Sequence, residues 1–255
     1  MRKQLNILLI LSILIGILAS CSWLKDDDDV NNPYKVWSEK KLYDDARQSL
    51  IKEQYVSAIK RFEAMESMYP FSIYAERSQL GLIYAYYKNG DYAAAVASAE
   101  RFTHLYPRAR HVDYAYYMKG LANFQQPRAA FSSILPVDES WRDTGTQATA
   151  YSDFASLVDK FPDSYYKPDA LQRMIYLRNM FAQRELNTAN YYYERSMYVA
   201  AAERASDLIK NYPQATAVEA ALVILYHSKQ KLGLRQAAAD AMTLYTATYP
   251  GKKMP

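Results

Sequence analysis

Apolar positions along this chain recur three or four residues apart, the spacing of one helix face, and not in the alternation of a strand. From Tyr55 to Tyr69 they fall at Ala58, Ile59, Phe62, Met65 and Met68. Ahead of them Leu42, Ala46, Ser49 and Leu50 form a similar face behind Ser38, a residue suited to capping a helix start, although Lys41 stands where a capping box has Glu. Beyond Phe71-Ser72-Ile73-Tyr74, a run from Leu80 to Lys88 ends at Asn89-Gly90-Asp91, a turn signal. The stripe then returns from Tyr92 to Tyr106 at Ala95, Val96, Ala99 and Phe102. Seven glycines in 255 residues leave few places for these helices to break.

A punctuation mark sets the period. An aromatic residue followed by proline occurs at Tyr69-Pro70, Tyr106-Pro107, Phe161-Pro162, Tyr212-Pro213 and Tyr249-Pro250, with steps of 37, 55, 51 and 37 residues. Twelve residues before each proline stands Ala58, Ala95, Ala150, Ala201 or Ala238. Eight before it stands Phe62, Ala99, Phe154, Ala205 or Met242. Eight after the first four prolines stands a small residue: Ser78, Ala115, Ala170 or Ala221. A small side chain at a fixed place lets two helix backbones approach, and larger neighbours fill the space beside it. Proline cannot continue the helix ending at the aromatic but can open the next. Each unit is too small to bury its own apolar face, so units must stack. The pattern resembles the tetratricopeptide repeat, with a unit slightly longer than the usual ~34 residues. The expected fold is all-α: a helical solenoid of about five tetratricopeptide-like helix pairs.

The two longer steps locate extra material. In the first it falls within Leu121–Thr146, which holds Pro127, Pro136, Gly145 and the charged residues Asp138, Glu139, Arg142 and Asp143. This predicts an irregular insertion at 127–146, between N-terminal repeats at 37–126 and C-terminal repeats at 147–255. In the second step the extra material, Arg184–Ser196, lacks Pro and Gly. It predicts a lengthened helix pair, Leu171 to about Leu186 and then Thr188 to Val199. Gly251–Pro255 is expected to fray.

The start of the chain has a different character. Arg2 and Lys3 precede an apolar run from Leu5 to Leu18, short for a membrane span and suited to a secretory signal at 1–20. Leu18-Ala19-Ser20-Cys21 resembles the bacterial lipobox, which implies that Cys21 becomes the acylated first residue. Ser22 rather than Asp follows it, which by the lipoprotein sorting rule implies the outer membrane. Three acyl chains on one residue would anchor stably, since one alone holds only marginally. Residues 21–36, with Asp26 to Asp29, form an acidic tether; adjacent aspartates lack the spacing and turn glycine of a calcium loop.

Composition excludes more than it assigns. Cys21 is the one cysteine, so no intrachain disulfide is possible. The net charge of +4 falls to +2 once Arg2 and Lys3 are set aside, too weak to argue for nucleic acid. His104, His111 and His227 lack metal-ligand spacing, and no glycine-rich phosphate loop or nucleophile elbow occurs. The chain is therefore expected not to be an enzyme, with no metal and no cofactor beyond the lipid on Cys21.

At Tyr69-Pro-Phe-Ser-Ile-Tyr74, Leu82-Ile-Tyr-Ala-Tyr-Tyr-Lys-Asn-Gly-Asp91 and Tyr191-Tyr-Tyr-Glu-Arg-Ser-Met-Tyr-Val-Ala200, together with the lipobox, the chain resembles the BamD (ComL) family of lipoproteins in the outer-membrane β-barrel assembly machinery. The resemblance spans essentially the whole mature chain. It implies a non-catalytic scaffold on the periplasmic face of the outer membrane. The N-terminal repeats would receive unfolded outer-membrane proteins by an extended signal ending in an aromatic residue. The C-terminal repeats would dock the barrel subunit, BamA, with accessory Bam lipoproteins as further partners. Tyrosine suits peptide recognition, offering rigid apolar area and a hydroxyl, so Tyr74, Tyr84, Tyr86 and Tyr87 are the candidate substrate contacts. For docking the resemblance points to Tyr192, Arg195 and Arg204, the last facing an acidic residue of the barrel subunit; Ala201 and Ala202 depart from the bulkier family pattern. A generic periplasmic repeat lipoprotein, adapting cell-wall or division proteins, would need neither the tyrosine run at Leu82–Asp91 nor the insertion. A cell-wall hydrolase would need a catalytic domain, for which no residues remain.

Overall fold

The computed structural model describes residues 33–125 and 145–255. The signal-like segment, Cys21, the aspartate run and most of the expected insertion lie outside the described residues. Ten helices occupy the described residues: α1 (Glu39–Ile51), α2 (Tyr55–Met68), α3 (Ala75–Asn89), α4 (Tyr92–Leu105), α5 (Val112–Gln125), α6 (Gly145–Lys160), α7 (Lys167–Glu194), α8 (Tyr198–Asn211), α9 (Val218–Lys231) and α10 (Arg235–Thr248). Each packs on the next, and they form five pairs, the all-α solenoid that the register predicts.

The alanine register is the packing register. Ala58, Ala95, Ala150 and Ala201 are fully buried and Ala238 nearly so; Ser78, Ala115, Ala170 and Ala221 are buried opposite them. Phe62 and Phe154 are among the largest fully buried side chains. Each presses on a glycine: a Cβ at Gly81 would lie 2.5 Å from the Phe62 ring, and one at Gly120 would lie 2.6 Å from that of Phe154. Helix ends follow local chemistry. Ser38 Oγ accepts from the Lys41 amide at 3.3 Å, and Gly90 closes α3 at φ 86°, a left-handed position that glycine takes without cost.

The aromatic-proline mark works differently from the expectation that proline opens the next helix. A proline disfavours helical geometry in the residue before it. Tyr69, Tyr106, Tyr212 and Tyr249 accordingly cap their helices at φ between −133° and −124°. A turn follows, closed by amide bonds from Ser72 to Tyr69 O (3.1 Å), Ala109 to Tyr106 O (3.0 Å), Ser164 to Phe161 O (3.0 Å) and Ala215 to Tyr212 O (2.9 Å). The next helix begins five residues after each of these prolines, at Ala75, Val112, Lys167 and Val218. Lys252 repeats the bond to Tyr249 O at 3.1 Å, so the chain enters the same turn after the last helix. Lys252 pairs with Glu219 at 2.8 Å, and Met254 packs against the C-terminal core.

α7 is one helix of 28 residues, about 42 Å long, and not the pair broken near Leu186 that its length suggested. Nothing in Leu186-Asn187-Thr188 stops a helix, and Ala182, Leu186 and Ala189 continue one buried stripe. The chain turns only at Arg195–Met197, with Ser196 left-handed at φ 60°. Leu177 lies in the middle core and Leu186 in the C-terminal core, so α7 ties the two together. A third core, around Phe62 and Leu82, serves the first pairs.

First helices approach one another, α1 with α3, α3 with α5 and α7 with α9, whereas among the described residues no comparable contact joins one second helix to the next. The array therefore curves with its first helices inside, the concave side of a helical-repeat stack. Between α5 and α7 long side chains make the bridge: Tyr117 stacks on Tyr166 at 4.6 Å, and Phe124 meets Tyr176 edge-on at 5.8 Å.

Candidate functional site

The four N-terminal tyrosines do not converge. Tyr74 stacks on Tyr43 of α1, with ring centroids 4.7 Å apart. Tyr86 turns to α2 and donates its hydroxyl to Glu63 Oε1. Burial, then that hydrogen bond and the nearby Glu63 and Glu66 charges, raise its pKa well above the ordinary phenol value. Tyr87 meets Tyr92 edge-on at 5.7 Å. Tyr84 alone of the four keeps an exposed ring. Its helix explains the split: Tyr84 and Tyr87 are three apart and share a face, while Tyr86 lies toward the α2 side.

The concavity at this end lies one turn of chain away. Glu66, Pro70, Phe71, Ala75, Gln79, Leu105 and Tyr106 line a cavity of about 360 Å³ between the ends of α2 and α4 and the start of α3. Phe71 is 99% exposed and Leu105 57% exposed at its rim. Its floor is polar. Glu66 Oε1 is held by Arg101 at 2.6 Å and approached by Gln79 Nε2 at 3.4 Å. Gln79 Oε1 is buried and has no hydrogen-bond partner among the described residues. An unpaired buried acceptor costs its full desolvation, about 1–3 kcal/mol. Burial raises the Tyr106 hydroxyl pKa, with the Glu76 and Glu66 charges adding to it, so the phenol stays neutral beside this carboxylate. The sequence carries one sign of the cavity: Phe71 and Ile73 are large apolar residues inside a turn, where no helix face requires them.

At the other end, the residues singled out for docking divide between two places. Tyr192 is half-buried against the C-terminal core and meets Tyr191 edge-on at 5.7 Å. Arg195 caps α7, lays its guanidinium 3.7 Å over the Tyr191 ring and donates from Nη1 to Tyr191 O at 3.3 Å. Arg204 sits on α8 beside Glu185 of α7, Nη1 to Oε2 at 3.2 Å. Glu185 precedes Arg195 by ten residues, so the two places are about 15 Å apart along α7. The Arg204–Glu185 pair is exposed and contributes about 0.2–1 kcal/mol at most to stability.

Among the described residues no group of three or more His, Cys, Asp or Glu stands ready for a metal, and no helix is long and apolar enough to cross a membrane. Asp153 is the buried acid among them, and its partners are structural. Asn123 Nδ2 donates to it at 2.6 Å and Lys119 lies 3.2 Å away, also holding Glu100 at 2.8 Å, so one lysine clamps α4, α5 and α6.

Comparison with known proteins gives consistent matches. Residues 36–244 match the family model YfiO, described as an outer membrane lipoprotein. A curated relative from Neisseria meningitidis, named outer membrane protein assembly factor BamD, is 37% identical over 243 residues, covering 95% of this chain and 91% of its own. A protein of the same name from Vibrio cholerae is 39% identical over 196 residues, 77% of this chain and 81% of its own. Among solved structures, a tetratricopeptide repeat protein from Parabacteroides merdae covers 84% of this chain and 68% of its own at 11% identity and a TM-score of 0.36.

Proposed function

This chain belongs to the YfiO family of outer-membrane lipoproteins, whose curated relatives are BamD assembly factors, and from that premise we propose a two-ended, non-catalytic scaffold of the β-barrel assembly complex. Its N-terminal repeats bind unfolded outer-membrane proteins, and its C-terminal repeats dock a BamA-like barrel subunit. Accessory Bam lipoproteins complete the assembly, and acylated Cys21 anchors the chain to the outer membrane from the periplasmic side.

The observation that carries the peptide-binding half is the cavity between α2, α3 and α4. Its rim is apolar, through Phe71 and Leu105, and its lining includes the polar side chains of Glu66 and Gln79. An extended polypeptide supplies both complements, an aromatic or aliphatic side chain for the rim and backbone N–H groups for the Glu66 carboxylate. Tyr84 alone of the four tyrosines keeps an exposed ring, on another face of α3 from the cavity, whereas Tyr74, Tyr86 and Tyr87 act by holding α3 in place. The docking half is supported by Arg204, an exposed guanidinium with donors to spare.

The test places a photoreactive phenylalanine analogue at Leu105 in the full acylated chain, and at Leu244 on α10 as a control. An unfolded outer-membrane protein should crosslink at Leu105 and not at Leu244. Equal labelling at both positions, or labelling at Leu244 alone, would overturn the assignment.

A further inference from the structure

Arg204 is expected to meet a carboxylate of the barrel subunit, but in the free chain it already meets one. Its Nη1 lies 3.2 Å from Glu185 Oε2, and among the described residues Glu185 is the one group it bonds. A guanidinium carries five N–H donors in one plane. With Nη1 taken, the edge formed by Nε and Nη2 remains unpaired, and that edge binds a carboxylate through two parallel bonds. The two partners are not equally mobile. The Glu185 side chain is 26% exposed and that of Arg204 46%. Glu185 is also mid-helix, between Ala182 and Leu186, both buried.

Resting on the docking role proposed for Arg204, we infer that Glu185 is its positioning residue, tethering one edge of the guanidinium so that the other is presented to the partner's carboxylate. Two effects oppose each other. Glu185 repels an incoming carboxylate, but the two acids sit on different edges of one cation, which attracts both. Against this, a free arginine loses several rotamers on docking, and a tethered one has lost most of them already. Positioning prevails where the ordering effect is the larger of the two, and the sign of the Glu185→Gln effect on binding reports which it is. The resulting arrangement is acid, guanidinium, acid, with the second acid supplied by the partner.

The test is a double-mutant cycle on the full acylated chain in detergent, binding an immobilised BamA-type barrel subunit with its periplasmic domains. Glu185→Gln should weaken binding by up to about fivefold, the limit set by a tether as weak as an exposed ion pair. Arg204→Ala should weaken it further, and the double variant should bind no more weakly than Arg204→Ala alone. The thermal midpoint should fall by no more than about 4 °C in any of the three, as expected for an exposed pair. Tighter binding by Glu185→Gln would make Glu185 a competitor and overturn the inference. An equal loss in the Arg204→Ala background would assign Glu185 a purely structural role and overturn it as well. If Arg204→Ala weakens docking and Glu185→Gln does not, the positioning role alone falls. If Arg204→Ala binds as wild type, the docking assignment falls and takes the positioning role with it.

Discussion

Tyrosine does most of its work here as a staple: the ring packs between helices and the hydroxyl reaches an acceptor at the rim. Tyr86 donates to Glu63, Tyr117 to Asp169 at 2.8 Å, Tyr245 to Glu219 at 3.1 Å and Tyr69 to Trp37 O at 2.6 Å. Twenty-five tyrosines therefore do not mean a surface of binding residues, and sequence could not tell the stapling ones from Tyr84. The staples have an alkaline signature. The Tyr117 hydroxyl is pushed up to about 12 from 10.0, mainly by burial and then by its hydrogen bond to Asp169. Folding favours the protonated phenol, so this contribution is complete below pH 10.0 and is lost as pH rises through about 12. Phenolate absorbance of the folded chain should show a late-ionising group that Tyr117→Phe removes. If Tyr117→Phe removes only a group that ionises near 10.0, the staple account of this residue is wrong.

At the scale of the helix, what sequence disclosed was the register, because alanine at a repeated position has one physical use. All five register alanines lie at helix contacts. The turn after each proline was less legible, since the rule that proline opens helices competes with its effect on the residue before it, and the latter prevailed. The unbroken α7 was missed because length alone suggested a break where no breaker stood. Neither Gly81 nor Gly120 was marked as a contact, although both are spaces that phenylalanine rings require. Gly81→Ala and Gly120→Ala should each destabilise the chain by about 1–3 kcal/mol through overpacking, despite the helix propensity gained. Urea unfolding measures this. A stability equal to or above wild type for both would show that the rings are free to move, contrary to their burial.

Over the whole molecule, the proposed function depends on what the two ends face. Three cores share no single centre, yet α3 and α7 each belong to two of them, so the ends are coupled through continuous helices. The cavity was nearly invisible in the sequence because it forms from segments up to 40 residues apart, Glu66 to Tyr106, that only the stacking of repeats brings together. The arginine was visible only through family resemblance, and its partner Glu185 not at all, since nineteen residues separate them. The proposed scaffold holds an unfolded substrate at one end and a barrel subunit at the other. The most direct measurement asks whether an immobilised BamA-type barrel subunit retrieves an unfolded outer-membrane protein through this chain. Retrieval should require the acylated wild-type chain and be lost both with Arg204→Glu at the docking end and with Phe71→Ala plus Leu105→Ala at the cavity. Retrieval without the chain, or undiminished by either change, would contradict a scaffold that works from its two ends.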